Sequence, residues 1–469
     1  MRQHGGMTEP ITFDLNGAPT SAECRADRTV LEWLRGDALL RGTKEGCAEG
    51  DCGACSILMR APDDDRYRPA NSCILLMGQV EGASLMTVEG LAAMGPDGHP
   101  VQSLMAENGS SQCGFCTPGI VCALAGLGDG DTAVDEPAVH EALAGNLCRC
   151  TGYRPIVEAA LATAPVKLNA ASPSGGRRAS VGSANSQMHH PGNFEELWAV
   201  MKTHPGSPLL AGGTDDNLSV AQAHTRHDNI ISLRAIAELA RIETNATHLS
   251  IGGAARWCDM LPHLEMHWPS FAAMLRRFGS VQVRSVSTMG GNLATASPIG
   301  DSAPSLIALD SALVLKSSAG ERRVSVEDFY TGYRETILRE NEVIAAIEIP
   351  LSKDVEFRVY KVSKRYDQDI STVCGAFSVR MDGEKIASAR IAFGGMAATP
   401  VRCRSAESLL VGKPLEALND ARISDAIEAD LAPMSDMRGT ANYRMRVARN
   451  LPKRLALDLS GEIVEVMAL

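Results

Sequence analysis

Eight cysteines of this sequence fall into two groups of four, and the first group has the spacing of an iron-sulfur site. Cys47, Cys52 and Cys55 follow a C-x4-C-x2-C pattern, and Cys73 comes after a gap of seventeen residues. A [2Fe-2S] cluster of plant type uses this spacing. The alternative interpretation of these four cysteines is a zinc site or a set of buried free thiols. Three glycines let the loop bend and direct backbone amides at the sulfur atoms, namely Gly46, Gly50 and Gly53.

The second group combines a C-x2-C pair, Cys113 and Cys116, with a C-x-C pair, Cys148 and Cys150, after a gap of 31 residues. Two such pairs can bind a second [2Fe-2S] cluster, but tetrahedral zinc accepts the same four thiolates. The spacing alone leaves both metals open. Cys122 lies in a predicted helix and is interpreted as a core residue rather than a ligand.

Two glycine-rich stretches contain the residue types of a nucleotide site. The apolar strand and glycine turn of residues 209–215 would present backbone N–H groups to phosphate, although glycine turns after strands are common. Residues 290–301 add hydroxyl, amide and carboxylate groups that suit a pyrophosphate and a ribose. Residues 364–370 form a charged segment, for which a solvated surface loop is the alternative interpretation.

Composition restricts the class of protein. A chain of 469 residues is too long for one ordinary core, so two to four domains are expected. No run of about 18 apolar residues marks a membrane span, and residues 1–10 have no apolar h-region, so a cytoplasmic location is expected. A net charge of −11 argues against a nucleic-acid binder. In a reducing compartment, the thirteen cysteines favour metal binding over disulfides.

Local patterns predict the elements that position the cysteines. Apolar alternation before Asn16-Gly17 predicts a strand that enters a tight hairpin. Thr29 with Glu32 predicts a capping box on a short helix. Further helices are predicted with Thr117 as N-cap, over residues 137–144, and from Pro155.

The second half of the chain differs from the first in composition and in predicted secondary structure. Residues 165–193 are rich in Ser, Gly and Ala without an apolar period, which predicts a linker. Alternating strands, helices and glycine turns then predict a mixed α and β region. Strands are predicted on both sides of an Asp382-Gly383 hairpin. A helix is predicted over residues 443–457, which Pro452 should kink or divide.

Three long segments resemble the signatures of one family. Residues 45–55 are similar to the first-cluster signature of the molybdenum hydroxylases, the xanthine oxidase family. Residues 112–119 and 146–156 are similar to their second-cluster signature. The resemblance implies two [2Fe-2S] clusters, with the second group of cysteines as ligands of the cluster nearer the molybdopterin.

Both glycine-rich stretches resemble the FAD-binding domain of this family, which is of the vanillyl-alcohol-oxidase type. Residues 364–370 resemble the segment that passes the exposed face of the flavin, where NAD or oxygen approaches. Asp216-Asn217 departs from the family pattern, in which an aliphatic residue and a glycine are common. The positions implied to contact FAD, followed by a glutamine implied to contact the pterin, are Leu209, Leu210, Ala211, Gly212, Gly213, Thr214, Asp215, Asp216, Phe278, Thr288, Met289, Gly290, Gly291, Asn292, Thr295, Asp301, Ile344, Lys361 and Gln112.

The resemblance covers nearly the whole chain and implies an α+β multidomain fold. Its parts would be a β-grasp ferredoxin-like domain at residues 9–85, a four-helix-type [2Fe-2S] domain at 86–164, a linker at 165–190, a PCMH-type FAD-binding α+β domain at 191–355, and a C-terminal α+β domain, as in carbon monoxide dehydrogenase flavoproteins, at 356–469.

Fusion of cluster and flavin modules is typical of the small subunit of two-chain bacterial xanthine dehydrogenases. The resemblance therefore implies electron flow from a molybdopterin-binding large subunit through the second cluster, the first cluster and FAD to NAD, while hypoxanthine or xanthine is hydroxylated to urate. It implies an α2β2 heterotetramer and no catalytic residue for hydroxylation in this chain. No nucleic-acid or membrane partner is expected. The alternatives are a subunit of another molybdenum hydroxylase, acting on an aldehyde or N-heterocycle, and a non-catalytic redox carrier or sensor.

Overall fold

The computed structural model of the chain describes residues 9–130, 133–168 and 176–462. Residues 1–8, which informed the expected location, and residues 169–175 of the predicted linker lie outside these ranges. The chain divides into two compact units, which are described separately. Unit 1 extends to Ala237 and includes Gly279–Ser287, and unit 2 comprises Glu238–Phe278 and the chain from Thr288 onward.

Unit 1 begins with a five-stranded sheet whose core includes one helix. Its elements are β1 Ile11–Leu15, β2 Ala18–Ala22, α1 Val30–Gly36, β3 Ser56–Arg60, β4 Arg68–Asn71, a 3-10 helix at Met77–Val80, and β5 Ser84–Met86. The strand order is β2-β1-β5-β3-β4, and the central pair β1 and β5 is parallel. This is a β-grasp arrangement, in which Phe13, Leu34 and Ile57 share the core.

Both local predictions for this sheet are confirmed. Asn16 and Gly17 have φ values of 54° and 84° between β1 and β2, as a two-residue hairpin of the favoured type requires. Thr29 Oγ1 accepts a hydrogen bond from Glu32 N at 3.1 Å, and Glu32 Oε2 accepts one from Thr29 N at 3.3 Å. The capping box therefore fixes the start of α1.

A helical region follows the sheet. Its helices are α2 Val88–Ala92, α3 Pro100–Glu107, α4 Thr117–Leu127, α5 Glu136–Leu143 and α6 Arg154–Ala162. Helix α4 begins one residue earlier than predicted, so Cys116 instead of Thr117 is the N-cap. The Thr117 hydroxyl bonds Ser111 Oγ at 2.8 Å, while Cys116 O accepts the N–H of Ile120. Cys122 is 1% exposed, as expected of a core residue.

A four-stranded sheet completes unit 1. Its region contains β6 Ser180–Ser183, β7 Ser186–His189, α7 Phe194–Thr203, β8 Leu209–Leu210, α8 Asn217–Ala221 and β9 Asn229–Ser232. The order is β6-β7-β9-β8. The prediction of a linker at residues 165–190 is wrong for β6 and β7. Buried Val181 and Met188 support this hairpin, and so few apolar residues produce no recognisable period.

Unit 2 contains a second five-stranded sheet of order β10-β11-β16-β12-β13, as the predicted mixed region requires. From α9 to β16, the elements in chain order are α9 Ala237–Ala240, β10 Ile242–Thr244, β11 His248–Gly252, α10 Trp257–His267, α11 Pro269–Arg276, α12 Val281–Arg284, α13 Met289–Ala294, α14 Ser302–Ala308, β12 Ala312–Ser317, β13 Gly320–Ser325, β14 Tyr330–Gly332, β15 Glu335–Thr336 and β16 Val343–Pro350. Helix α12 lies in the segment assigned to unit 1.

The chain continues in unit 2 with an antiparallel sheet of order β17-β18-β19-β20, followed by helices. These elements are β17 Val355–Val362, β18 Val373–Asp382, β19 Lys385–Gly394, β20 Val401–Arg402, α15 Arg404–Leu410, a 3-10 helix at Leu415–Asn419, α16 Ala421–Asp430 and α17 Ala441–Leu459. The predicted hairpin between β18 and β19 is confirmed, with φ of 58° at Gly383.

Helix α17 continues through Pro452, so the predicted division at this proline is wrong. Proline in a helix interior costs about 3 kcal/mol. Leu451 and Leu455 on either side of it belong to the core, and their burial offsets that cost. None of the helices in the described ranges combines the length and apolar character needed to cross a membrane.

Candidate cluster and flavin sites

The four cysteines of the first group form two pairs. The Sγ atoms of Cys55 and Cys73 are 3.2 Å apart. Cys47 Sγ accepts a hydrogen bond from Cys52 N at 3.3 Å, and Cys52 Sγ accepts one from Cys47 N at 3.4 Å. Cys55 and Cys73 are buried, whereas Cys47 and Cys52 are partly exposed. The loop before β3 supplies Cys47, Cys52 and Cys55, and the turn after β4 supplies Cys73.

Hydrogen bonding within each pair favours one thiolate. The Cys52 side chain, helped by backbone amides, lowers the pKa of Cys47 to about 5. The Cys73 side chain lowers the pKa of Cys55 against the effect of burial. The thiolate is the form of cysteine that binds metal. Each pair therefore contains a sulfur that is prepared for ligation.

The four cysteines of the second group lie in the segments that lead into α4 and α6, and they are also paired. Cys116 is the N-cap of α4, while Cys148 and Cys150 precede α6. The side chain of Cys113 interacts with that of Cys150, and the side chain of Cys116 interacts with that of Cys148. Cys113 and Cys150 are exposed, so this site reaches the surface of the described chain.

Two side chains fold back onto Cys148. Thr151 Oγ1 lies 3.2 Å from Cys148 Sγ. The Tyr153 hydroxyl accepts a hydrogen bond from Cys148 N and donates one to Asn146 O, both at 2.8 Å. Burial opposes a low pKa at Cys148, but the Thr151 hydroxyl and neighbouring backbone amides outweigh it, and the pKa of Cys148 is lowered. The second site therefore also holds a favoured thiolate.

The paired sulfurs fit a binuclear cluster in both groups. A [2Fe-2S] cluster takes four thiolates, two on each iron. Tetrahedral zinc would instead gather all four around one ion.

The two cysteine loops are in direct contact. Leu147 N donates a hydrogen bond to Cys52 O at 2.9 Å, and Asn146 Nδ2 donates one to Gly53 O at 3.0 Å. A Cβ on Gly53 would lie 2.0 Å from Gly145 O, so this approach requires glycine. Peptide groups beside a cysteine of each group are therefore hydrogen-bonded to one another.

The first glycine-rich stretch, residues 209–216, forms β8 and a turn into α8 in unit 1. Gly213 has φ of 79°, and a Cβ on Gly212 would lie 2.5 Å from a backbone oxygen. Gly212 and Gly213 are therefore required by the close packing and the left-handed backbone of this turn. A glycine turn of this kind can present backbone N–H groups to a phosphate group. Asn217, which follows it, is 2% exposed and donates to Ile74 O at 2.8 Å. The residue bonded by Asn217 is thus the one that directly follows Cys73.

The departure from the family pattern at Asp216-Asn217 has a structural explanation. The explanation concerns Asn217, because Asp216 is exposed at the turn. Asn217 Nδ2 also donates to Gln79 Oε1 at 2.8 Å. The amide therefore links the turn to the first-cluster domain, which a glycine side chain could not do.

The second glycine-rich stretch lies in unit 2. Thr288 is the N-cap of α13 and its Oγ1 accepts the N–H of Gly291 at 3.1 Å. Thr295 Oγ1 donates to Gly291 O at 3.0 Å. A Cβ on Gly290 would lie 2.2 Å from Gly253 O, so Gly290 permits close backbone packing. Met289 in the same helix is fully buried.

A buried ion pair connects three polar residues of unit 2. Lys361 Nζ lies 2.5 Å from Asp301 Oδ2 and 3.0 Å from Ser371 Oγ. Ser371 Oγ also donates to Asp301 Oδ1 at 2.5 Å. Asn292 Oδ1 accepts a hydrogen bond from Ser302, the residue after Asp301. The structure thus brings together Asn292, Asp301 and Lys361 of the predicted FAD residues.

Other predicted positions have separate environments. The half-buried Phe278 ring is 5.1 Å from the Trp257 ring, and Ile344 is 7% exposed in β16. Gln112 is exposed beside Cys113. Sequence reasoning assigned no role to Asn146, Thr151, Tyr153, Asn217 or Gln282. The first three lie within the family signature at residues 146–156 and Asn217 lies in the noted departure, but Gln282 has no sequence signal.

Family models match four consecutive parts of the chain. Residues 13–77 match a 2Fe-2S iron-sulfur cluster binding domain, and residues 87–161 match a [2Fe-2S] binding domain. Residues 184–352 match the FAD binding domain in molybdopterin dehydrogenase, and residues 358–459 match the CO dehydrogenase flavoprotein C-terminal domain. The chain therefore has two [2Fe-2S] domains and an FAD domain.

Curated relatives are similar over most of the chain. Xanthine dehydrogenase of Emericella nidulans is 32% identical over 97% of this chain and 39% of the relative. Xanthine dehydrogenase/oxidase of Gallus gallus is 28% identical over 91% of this chain and 38% of the relative. The chain thus spans less than half of the length of these relatives.

Solved structures match the larger part of the chain. A chain of carbon monoxide dehydrogenase from Hydrogenophaga pseudoflava aligns with a TM-score of 0.54 and 28% identity over 57% of this chain and 94% of its own length. A chain of quinoline 2-oxidoreductase from Pseudomonas putida 86 aligns with a TM-score of 0.55 and 26% identity over 59% of this chain and 98% of its own length.

The four domains, in this order, fit the iron-sulfur and FAD subunit of the molybdenum hydroxylase family. The α+β multidomain fold class predicted from the sequence is confirmed. Within that family, the curated sequences quoted above are xanthine dehydrogenases and the solved structures are carbon monoxide and quinoline enzymes.

Proposed function

We propose that this chain is the iron-sulfur and flavin subunit of a two-chain xanthine dehydrogenase, and that it carries electrons from a molybdopterin-binding partner to NAD. One observation carries the proposal. Three loops of unit 1 are hydrogen-bonded in series: Leu147 N donates to Cys52 O at 2.9 Å, and Asn217 donates to Ile74 O at 2.8 Å. The loops proposed to hold the second cluster, the first cluster and FAD therefore follow one another through short contacts.

The exposure of the cysteines supports a direction for this path. Cys113 and Cys150 are exposed, and Phe115 and Leu147 beside them are 48% and 44% exposed. Exposed apolar side chains around a redox site suit a partner surface. Cys55 of the first group is buried. Electrons would enter at the second cluster, where Gln112 would contact the pterin of the partner, and leave through the first.

The proposed ligands are Cys47, Cys52, Cys55 and Cys73 for the first cluster and Cys113, Cys116, Cys148 and Cys150 for the second. The proposed FAD ligands are the residues predicted from the family pattern, with those at 209–216, Asp301 and Lys361 among them. Bound FAD exchanges electrons singly with clusters and in pairs with NAD. The domain limits inferred from the sequence and an α2β2 assembly in the cytoplasm belong to the same proposal.

The substrate is the finer part of the proposal. Similarity to xanthine dehydrogenases over 97% of the chain supports hypoxanthine and xanthine. The structural similarity to quinoline 2-oxidoreductase supports a second candidate, a subunit of a hydroxylase that acts on another N-heterocycle. In both cases hydroxylation takes place on the partner chain, and this chain removes the electrons.

Metal and flavin analysis of the purified chain tests the electron-transfer role. We expect about four iron atoms and one FAD per chain, with two distinct low-temperature EPR signals after reduction. Zinc in place of iron, or a single signal, would contradict the proposal for the second group of cysteines.

Co-purification with a molybdopterin subunit, followed by anaerobic assay, tests the substrate. NAD reduction with xanthine but not with quinoline would support the xanthine assignment. The opposite preference would establish the second candidate. Electron transfer to neither NAD nor an artificial acceptor, with any of these substrates, would refute both.

A further inference from the structure

The segment Gly279–Ser287 belongs to unit 1, whereas the residues on both sides of it in the sequence belong to unit 2. It lies within the stretch that matches the FAD domain model, yet it belongs to unit 1 with the iron-sulfur domains. Ser280 is fully buried and caps α12, and Gln282 in that helix is 1% exposed. A flavin-domain segment therefore inserts its side chains among the residues of the two cluster domains.

Gln282 takes part in a buried hydrogen-bond network. Its Nε2 donates to Asn146 Oδ1 at 2.8 Å and to Ser56 Oγ at 3.2 Å. Asn146 Nδ2 donates to Gly53 O at 3.0 Å, and Ser56 Oγ donates to the same oxygen at 2.8 Å. Asn146, Ser56 and Gln282 are each at most 2% exposed. The network is therefore shielded from bulk solvent.

The network joins the two cysteine loops. Ser56 directly follows Cys55, and Asn146 precedes Cys148 by two residues. A hydrogen bond from one side chain to both residues restrains their separation. Gln282 therefore acts on one ligand-bearing loop of each group at the same time.

The orientation of the amides is determined by the backbone. Gly53 O can only accept, so the nitrogen of Asn146 must face it and the oxygen of Asn146 must face Gln282. Gln282 must then present its nitrogen to Asn146. A carboxylate or an apolar side chain at position 282 could not make this donation.

The side-chain oxygen of Gln282 has an energetic cost, which indicates that this residue is present for the hydrogen bonds that its nitrogen donates. Gln282 Oε1 is buried and has no hydrogen-bond partner among the residues that the structure describes. An apolar side chain of the same size would avoid the cost of that unpaired acceptor. The site is also tight, because a Cβ on Gly145 would lie 2.0 Å from Oε1. Nearby, Arg284 anchors the segment to Glu141 at 2.7 Å.

We propose that Gln282 is a positioning residue that fixes the separation of the two [2Fe-2S] clusters and so sets the electronic coupling between them. This inference rests on the proposed function, since it requires clusters in both cysteine groups. Gln282 contacts no cysteine and acts through Asn146 and Ser56. Coupling between two centres falls steeply with their separation, so a small movement of either loop changes it.

The test uses Gln282→Met in the full chain, with Gln222→Met as the matched control. Methionine keeps the size of the side chain but removes both donors. Gln222 is exposed and donates to Glu49 of the first loop at 3.1 Å, so its replacement removes a surface contact of the same kind. Iron and FAD content are measured first, and EPR spectra of the fully reduced proteins follow.

We expect unchanged iron and FAD in Gln282→Met, with loss or clear narrowing of the splitting that arises from interaction between the two reduced clusters. Gln222→Met should keep the wild-type splitting. Gln282→Leu, which also lacks both donors and is smaller than methionine, should reproduce the loss if the methionine variant does not fold.

Wild-type splitting in a fully loaded Gln282→Met or Gln282→Leu variant would overturn the positioning role while leaving the proposed function intact. A wild-type chain without two clusters would overturn the proposed function itself. The two failures are therefore distinguished by the iron content of the unmodified protein.

Discussion

The Tyr153 hydroxyl accepts a hydrogen bond from the backbone N–H of Cys148 at 2.8 Å. Tyr153 adopts φ of 65°, a left-handed conformation that is uncommon for a residue other than glycine. This conformation places the ring beneath the turn that carries Cys148 and Cys150, and the hydroxyl also donates to Asn146 O at 2.8 Å. The side chain thus closes the turn of the second cysteine group.

Tyr153→Phe removes both hydrogen bonds of the hydroxyl while keeping the aromatic ring. Cys148 N–H and Asn146 O both lose their partner, which should lower the free energy of unfolding by about 1–2 kcal/mol. We expect the EPR signal of the second cluster to broaden or to disappear, with the first signal unchanged. Tyr443→Phe, at an exposed tyrosine, is the control. Two unaltered signals in Tyr153→Phe would show that the backbone alone holds the turn.

Thr151→Val tests the hydroxyl beside Cys148 Sγ. A hydrogen bond to a ligand sulfur stabilises the more negative, reduced cluster, and its loss should therefore lower the reduction potential. A bond of about 1 kcal/mol corresponds to roughly 40 mV for one electron. Redox titration followed by EPR measures this shift in the second cluster. Thr163→Val, which removes a hydroxyl bonded to Ala159 O at the end of α6, should leave both potentials unchanged.

Much of the fold could be predicted because its signals are local. The capping box of Thr29 and Glu32 and the hairpin at Asn16-Gly17 each depend on residues that are close in sequence. The cysteine spacings also carry information, since three thiolates of one loop must reach a single cluster. These features identify the domains without any knowledge of their packing.

The residues that connect the sites could not be predicted in this way. Gln282 is 136 positions from Asn146, and no local pattern links them. Asn217 meets Ile74 across 143 positions. Helix α17 continues through Pro452 because tertiary packing outweighs a local preference. The two cysteine loops and the turn at residues 209–216 are connected by contacts between distant segments, and no pattern within a single segment predicts such contacts.

Lys361→Met tests the buried ion pair with Asp301. The substitution leaves the Asp301 carboxylate in a buried position with Ser371 as its remaining partner among these three residues. An uncompensated buried charge costs about 3–5 kcal/mol. We expect a lower melting temperature and loss of FAD, with iron content unchanged because the pair lies in unit 2.

The double variant Asp301→Asn with Lys361→Met separates charge from flavin binding. Removal of both charges should recover most of the stability, since no ion remains unpaired. FAD should still be absent if these side chains contact it. Recovery of FAD together with stability would show that the pair has a structural role only. Lys353→Met, at an exposed position, controls for the loss of a lysine.

Asn217→Ala tests the contact between the flavin turn and the first-cluster domain. The variant loses the hydrogen bonds to Ile74 O and Gln79 Oε1, which together contribute about 1–2 kcal/mol. FAD affinity should fall by roughly 5- to 30-fold, the equivalent of that energy. Fluorescence titration of the flavin-depleted protein measures it. Asn419→Ala, at an exposed asparagine, should bind FAD as the wild type does, and equal affinities in all three proteins would contradict the role of Asn217.

Gly53→Ala tests the contact between the two cysteine loops. Gly53 has φ of +69°, and a Cβ there would lie 2.0 Å from Gly145 O and 2.6 Å from Asn146 Nδ2. Gly412 has a similar φ of +76°, but a Cβ there would have no atom of the described residues within 4 Å. Alanine at either position incurs about 1–2 kcal/mol of backbone strain, so Gly412→Ala controls for strain alone. We expect Gly412→Ala to retain iron and both EPR signals. In Gly53→Ala the added Cβ must also push the two cysteine loops apart. We expect this variant to lose part of its iron and the EPR splitting between the two clusters. Equal behaviour of the two variants would mean that the close approach of the loops is not required.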